Sequence, residues 1–495
     1  MNILPHLLYS AEQTRALDRI AIEEHGIPGI VLMERAGAAA FGVLQRRWPA
    51  ARKIAVLCGA GNNGGDGFVV ARLAQQAGLS VTLVLMADPD GLRGEAKQAF
   101  ANLNLAAMSP PPTRSLPACL NDFDLLVDAM LGTGLNALVK GEYAEAIASI
   151  NQSNVPVLAL DVPSGLNASS GKVMGCAVQA SSTISFIGLN RGLLTGEGPG
   201  YCGEVCFSDL ALPVQLFERV ESDVNRVDFA TLQHHFKPRP QHAHKGMCGH
   251  VLLIGGEQGM SGAIRLAGEA ALRCGSGLVS VATRAQHAAL ISGQRPELMC
   301  HGVEESGELQ PLLARADVIV CGPGLGQGAW GVKMLEAVLA QPLPLVLDAD
   351  ALNLLALKPR YRDNWILTPH PAEAARLLGM TTAEVQDDRF AAVINLQQRY
   401  GGQVLLKGAG SLMCGPDGDV LLCSDGNPGM ASGGMGDVLS GVLGALFAQA
   451  TPSSHVLPMA VALHAYAGDC AAGKHPIGLL ASDLLPHLRE GVNPI

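Results

Sequence analysis

At 495 residues the chain exceeds what one ordinary hydrophobic core covers, so two α/β domains are expected. Apolar residues make up 48% and glycines number 59, which suits compact α/β folding with many tight strand-to-helix turns. A formal charge of −10, with no run of Lys or Arg, argues against a nucleic-acid partner.

The opening "MNILPHLLYSAEQTRALDR" lacks a basic n-region and a long apolar h-region, so no signal peptide is expected. No apolar run reaches about 18 residues, so neither a membrane span nor a membrane partner is expected. Twelve scattered cysteines without paired spacing read as reduced thiols of a cytoplasmic protein. Ser10 and Gln13 can form a capping box for a helix running towards Glu24. Beyond it the apolar runs "IAVLC", "VTLVLM", "LLVDAML", "VPVLALD" and "TISFIG" recur with helical segments between them. Each is short and followed by Gly, Asp or Ser, as strands buried on both faces of a parallel sheet are.

From Ala211 to His244 the pattern lapses into polar sequence without a sustained strand signal. We read residues 221–244 as a linker between one domain over 1–220 and another over 245–495. A second alternation follows in "HVLLIGG", "LVSVAT", "VIVCGPGLG", "LPLVLDADAL", "WILTPHP" and "QVLLKGAG". A hairpin around "GPDGDV" and two apolar helices, in "GGMGDVLSGVLGALFAQA" and "VLPMAVALHAYAGDCAAG", complete the chain. No internal repeat relates the halves.

In "VLCGAGNNGGDGFVVARLA" Gly59, Gly61 and Gly64 have the G-x-G-x-x-G spacing of a dinucleotide-binding turn. The residues between and after them are Asn62, Asn63, Gly65 and Asp66. Two amides and a carboxylate supply oxygen ligands that a plain pyrophosphate loop does not need. A purely structural alternative makes Asp66 the helix N-cap and the asparagines left-handed turn residues. "VDAMLGTGLN" places Asp128 at a second strand end, and "LDVPSGLN" places Asp161 and Ser164 at a third. Three consecutive oxygen-rich strand ends in a parallel sheet converge on one crevice, where they can hold a substrate and a hard cation.

These motifs, "NNGGDG", "VDAMLGTG" and "DVPSG" in this order, resemble the NAD(P)H-hydrate epimerase family. The resemblance implies a Rossmann-like three-layer sandwich acting on hydrated NADH or NADPH. It implies that Asn62, Asn63, Gly64, Gly65 and Asp66 contact the hydrate. Gly132, Thr133, Gly134, Leu135, Asn136, Ala137, Leu138 and Asp161 do so as well, with Tyr143 lining the site. By the same resemblance Asn63, Asp128 and Ser164 ligate K+. Asp161 is expected to do the acid/base work at the carbon bearing the added hydroxyl; the alternative leaves it merely orienting "PSG" through its backbone.

In the second half, "NPGMASGGMGDVLSGVLGALFAQ" runs glycine-rich backbone into a long apolar helix, so free N–H groups and the positive helix end meet at one point. Asp437 lies there. A carboxylate beside such an anion hole can take a proton from an attacking hydroxyl while the N–H groups neutralise a transferring phosphoryl group. No G-x-x-x-x-G-K-[ST] occurs, which excludes P-loop chemistry. The arrangement resembles the ribokinase-like superfamily. "KGMCGHVLLIGG", "CGPGLG", "LDADALN", "TPHPAEAARLL" and "VLLKGAGS" narrow it to a likeness to the NAD(P)H-hydrate dehydratase family. Ala372 stands where that family often has Gly. The likeness implies that Ala263, Gly326, His370 and Asp437 contact the hydrate, His370 having a satisfied loop histidine as its bland alternative. It implies that Lys407, Gly408, Ala409, Gly410, Ser411 and Gly436 hold the adenine nucleotide.

The two resemblances together imply epimerisation of the R and S hydrates, then ADP-dependent dehydration of the S hydrate, releasing AMP and phosphate. Mg2+ at the second site and a homo-oligomer are expected with them. Two other readings are a dehydrogenase fused to a sugar-type kinase and a nucleotide-sensing protein without catalysis. The histidines of "HHFKPRPQHAHKGMCGH" have zinc-like spacings but no C-x-x-C partner, and no metal is expected there.

Overall fold

The computed structural model describes residues 4–449 and 451–493, and the chain divides into two compact units between Asn225 and Arg226. In the first unit six strands form a wholly parallel sheet. Their order is Ser80–Leu85, Lys53–Cys58, Leu125–Ala129, Val157–Leu160, Ser182–Phe186 and Glu204–Ser208. Successive residues of a strand point to opposite faces. Thus Ile54, Val56 and Cys58 pack in one core with Leu32, Ala36, Phe68 and Val69, whereas Ala55 and Leu57 pack in another with Ala146, Ile147 and Ile150. Helices Gly29–Arg47 and Asn62–Gln76 cover one face and helix Glu142–Gln152 the other, which is the expected three-layer sandwich.

The capping box forms as expected: the Ser10 hydroxyl accepts from the Gln13 N–H, and the Gln13 amide accepts from the Ser10 N–H. After Lys53–Cys58 the chain steps to one neighbour, Ser80–Leu85, and then to the other side, Leu125–Ala129. This switch of direction opens a crevice at the carboxyl ends of the strands.

The second unit repeats the logic with nine strands. Seven are parallel, in the order Met299–Gly302, Leu278–Thr283, His250–Ile254, Val318–Cys321, Leu345–Leu347, Trp365–Leu367 and Gln403–Leu406. The expected hairpin, Ser411–Cys414 with Val420–Cys423, continues the sheet antiparallel. Val251 and Leu253 face the helices Ser261–Arg273, Met435–Ala448 and Ser453–Ala472. A Cβ on Gly441 would lie 2.0 Å from the Ala267 carbonyl oxygen, so a glycine is what lets the first two of these helices touch.

Much of the polar stretch read as connection is structured. Val224 pairs antiparallel with Leu8 in the first unit. In the second, Asp228 caps the short helix Phe229–Leu232, and Phe229 stacks on Tyr466 at 4.1 Å between ring centroids. Pairings this short leave no periodicity in a sequence. All twelve cysteines are free thiols, and among the described residues no helix is long and apolar enough to cross a membrane.

Candidate active sites

Helix Asn62–Gln76 starts immediately after the glycine turn, with Gly61 as its N-cap. Asn62, Asn63 and Asp66 are therefore helical residues of its first turns, neither left-handed turn residues nor an N-cap. Two of the fingerprint glycines are demanded by backbone contact. A Cβ on Gly59 would lie 1.9 Å from the Met130 carbonyl oxygen, and one on Gly64 would lie 2.0 Å from that of Gly59; Gly61 faces open space.

The carboxyl end of the sheet carries a cavity of about 550 Å³. Asn62, Asn63, Asp66, Gly132, Thr133, Gly134, Leu135, Asn136, Ala137, Tyr143 and Asp161 line it. Gly64 is instead held against the Gly59 backbone of the turn and Gly65 packs against Met33 and Ala96, while Leu138 is exposed outside the lining. Asp161 adopts φ 63°, a left-handed conformation that a non-glycine residue occupies only under constraint. Its Oδ2 accepts from the Thr133 N–H at 2.9 Å and its Oδ1 from the Asn190 amide at 3.3 Å. Burial raises its pKa despite these bonds. Burial, with the Asp161 and Asp18 carboxylates nearby, pushes Asp66 well above the usual range.

Asp128 is fully buried at the next strand end. Its Oδ1 accepts from the Ser164 hydroxyl at 2.6 Å and from the Met130 N–H at 3.2 Å, and its Oδ2 from the Ser164 N–H at 2.8 Å. Burial still raises its pKa to about 6. These bonds tie the Asp128 and Ser164 loops together. Asn63 is buried with neither Oδ1 nor Nδ2 bonded to any partner. Leaving such an amide bare costs roughly 1–3 kcal/mol, so this oxygen is poised to receive a ligand. A carboxylate, a hydroxyl and a bare amide oxygen are hard donors of the kind that hard cations take.

In the second unit the strand ends gather around Asp348, which is buried. Its Oδ1 accepts from the Lys407 ammonium at 2.7 Å and from the Thr368 hydroxyl at 2.8 Å, and its Oδ2 accepts from the Ser440 hydroxyl at 2.9 Å. Burial opposes ionisation of Asp348, but Lys407 and these bonds outweigh it and lower its pKa. Burial likewise opposes the Lys407 charge, and the Asp348 and Glu373 carboxylates more than restore it. A Cβ on Gly436 would stand 3.2 Å from the Lys407 nitrogen, so this cation sits at the first turn of helix Met435–Ala448, beside Asp437. Asp437 is half-buried, and burial and Asp348 raise its pKa to about 7.

Gly408 and Gly410 have φ 142° and 59°, and the turn they make is held from below. The buried Arg389 donates to the carbonyl oxygens of Leu406, Lys407 and Gly410, and the Ser411 hydroxyl closes back onto the Gly408 carbonyl at 3.0 Å. Ala409 lies exposed at the tip. His370 is half-exposed and serves as an N-cap: its Nδ1 accepts from the Ala372 N–H at 3.1 Å, which leaves the proton on Nε2. Ala263 lies in the first turn of helix Ser261–Arg273, and Gly326, at φ 72°, donates its N–H to Asp350 at 2.9 Å. Both lie near the switch between His250–Ile254 and Val318–Cys321. Among the described residues no group of three or more His, Cys, Asp or Glu side chains converges as a metal cage.

Residues 29–192 match the family model described as YjeF-related protein N-terminus, and residues 251–489 match that of NAD(P)H-hydrate dehydratase. The chain is 49% identical to a bifunctional NAD(P)H-hydrate repair enzyme of Coxiella burnetii, over 99% of this chain and 100% of that one. It belongs to the bifunctional NAD(P)H-hydrate repair enzyme family. The Escherichia coli member is 43% identical over 99% of this chain and 95% of its own. A ribokinase-like superfamily protein of Enterococcus faecalis superposes with a TM-score of 0.51 at 30% identity, covering 55% of this chain and 95% of that one.

Several residues of this repair-family chain were not singled out from sequence. Arg15 and Asp18, on the first helix, reach the first cavity, where the Arg15 guanidinium donates to the Thr133 carbonyl oxygen at 3.1 Å. Asp348 and Arg389 organise the second site. Asp348 carried a usable signal, an acid directly after a buried apolar strand, as Asp161 is. Arg389 carried none, because it lies on a helix remote in sequence from the turn it holds.

Proposed function

We propose that the first unit interconverts the R and S hydrates of NADH and NADPH, and that the second dehydrates the S hydrate at the expense of ADP. The observation that carries this reading is two acid centres of different design, the left-handed Asp161 lining a cavity at the strand ends and Asp437 in the first turn of a helix beside Lys407. In the first unit Asp161 does the acid/base work at the carbon bearing the added hydroxyl, with the Asp66 carboxyl lining the same cavity. Asn62, Asn63, the Gly132 to Leu138 loop and Tyr143 hold the dinucleotide. Asn63, Asp128 and Ser164 hold K+, which would fix the loops and complement substrate negative charge.

In the second unit Asp437 takes the proton from the substrate hydroxyl as it attacks the β-phosphorus of ADP. AMP leaves, the ring nitrogen lone pair of the new phosphate ester then expels phosphate, and loss of a proton from the adjacent ring carbon restores the neutral dihydronicotinamide. Lys407 and the N–H groups at Gly436 neutralise the transferring group. The Gly408 to Ser411 turn seats the nucleotide, and Ala263, Gly326 and His370 flank the hydrate. Mg2+ needs only one or two protein carboxylates when nucleotide phosphates supply the rest, so it arrives with the nucleotide.

Incubating the protein with mixed R and S NADH hydrate, ADP and Mg2+ tests the reading through NADH absorbance. Complete recovery is expected. Recovery of one epimer alone would remove the epimerase assignment, and none at all would remove both. ATP in place of ADP tests the donor.

A further inference from the structure

A second cavity, of about 460 Å³, lies in the dehydratase unit at the opposite end of the sheet from Asp437 and Lys407. His250, Leu278 and Met299 are the first residues of three adjacent strands, and Asp317 directly precedes a fourth, so the cavity opens at the amino ends. Five residues of strand at about 3.3 Å each separate it from the catalytic end by roughly 16 Å.

The lining is rich in cations. The side chains of Lys245, Arg315 and His301 line it, and none of these side chains makes a hydrogen bond or ion pair among the described residues. Other cations of this unit are engaged: Arg284 pairs with Glu257 and Glu304, Arg295 with Glu269, and Lys333 with Glu305. Asp317, the acid of the lining, is occupied, accepting the His250 N–H at 2.8 Å. Burial lowers the His250 pKa, and its Nδ1 lies 3.0 Å from the Arg315 carbonyl and its Nε2 2.8 Å from the Ser280 hydroxyl. With Nδ1 donating to that carbonyl, Nε2 accepts from Ser280. The ring thus fixes the Arg315 backbone at the rim.

An ammonium and a guanidinium without side-chain partners, beside an imidazole N–H, match the oxygens of a dianionic phosphate group. Leu278, Met299 and Leu312 form an apolar wall that a free phosphate would not use. From this juxtaposition we infer a second ligand site, distinct from both active sites, that binds a small phosphate monoester. Lys245 and Arg315 grip the phosphate, His301 donates to it, and the apolar wall takes the carbon part.

Isothermal titration of the full chain with glycerol 3-phosphate, and separately with inorganic phosphate, tests the inference. The monoester is expected to bind the wild type and the Lys407→Ala variant alike, because the cavity is remote from Lys407. It is expected to bind the Lys245→Ala/Arg315→Gln variant at least tenfold more weakly, with dehydratase turnover unchanged as the check on folding. Binding that survives in that double variant, or that is lost in Lys407→Ala, overturns the site. Inorganic phosphate binding as tightly as the monoester overturns the ligand class. Should the double variant fail to fold, Arg315→Gln alone decides by the same comparison, since its side chain is exposed.

Discussion

A carboxyl group serves as a general base only when ionised, and is most effective when its pKa lies near the working pH. Burial and Asp348 hold Asp437 at about 7. Dehydratase kcat/KM should therefore rise as pH increases through about 7 and level off above it. Asp437→Asn should lower turnover by roughly 10²–10⁴, the usual scale for losing a general base, and should abolish that rise. A variant with wild-type turnover would put the base elsewhere. At the first site the equivalent question falls on Asn63, whose amide has no partner. Replacing K+ by a bulky organic cation should slow epimerisation in the wild type, and Asn63→Ala should be both slower and insensitive to the exchange. Equal rates of epimer interconversion with and without K+ in the wild type would remove the cation from that site.

At the scale of single elements, the glycine turn before helix Asn62–Gln76 separates two requirements that look identical in sequence. Gly59 and Gly64 are held by backbone contact, whereas Gly61 faces open space as an N-cap. Gly59→Ala should destabilise its unit by roughly 1–3 kcal/mol, lowering its melting transition by about 2–12 °C. Gly61→Ser, which places a good N-cap residue in open space, should stay within about 0.5 kcal/mol of wild type by the same calorimetry. Equal losses from both would mean that the turn is constrained by φ and not by contact. In the other unit the "KGAG" turn depends on Arg389, whose guanidinium satisfies three carbonyl oxygens from beneath. That dependence joins a helix to a nucleotide turn and has no local sequence signature.

At the scale of the whole molecule, each unit has its own parallel sheet, its own cores and its own candidate site at the strand ends. Damage at one site should therefore leave the other working. Asn63→Ala or Asp128→Ala should weaken epimerisation while the rate on purified S hydrate stays within twofold of wild type. Loss of both activities together would show that the units are energetically coupled.

The short apolar runs, each closed by Gly, Asp or Ser, sufficed for two α/β units and for strand ends rich in oxygen. Strands buried on both faces need no alternation, and ligand loops follow their carboxyl ends by topology. The same local logic made Asp128, Asp161 and Asp437 legible, since each lies at the end of a buried strand or directly after a strand or a glycine turn. Only the tertiary structure decided how those groups are tuned. The asparagines proved to be helical, the left-handed Asp161 is set by loops distant in sequence, and Asp348 became the acid on which Lys407, Thr368 and Ser440 converge. Burial, orphaned polar atoms and hydrogen-bond partners are relations between remote segments. A sequence lists the groups that enter them, and packing alone sets which of these groups meet and how far each is desolvated.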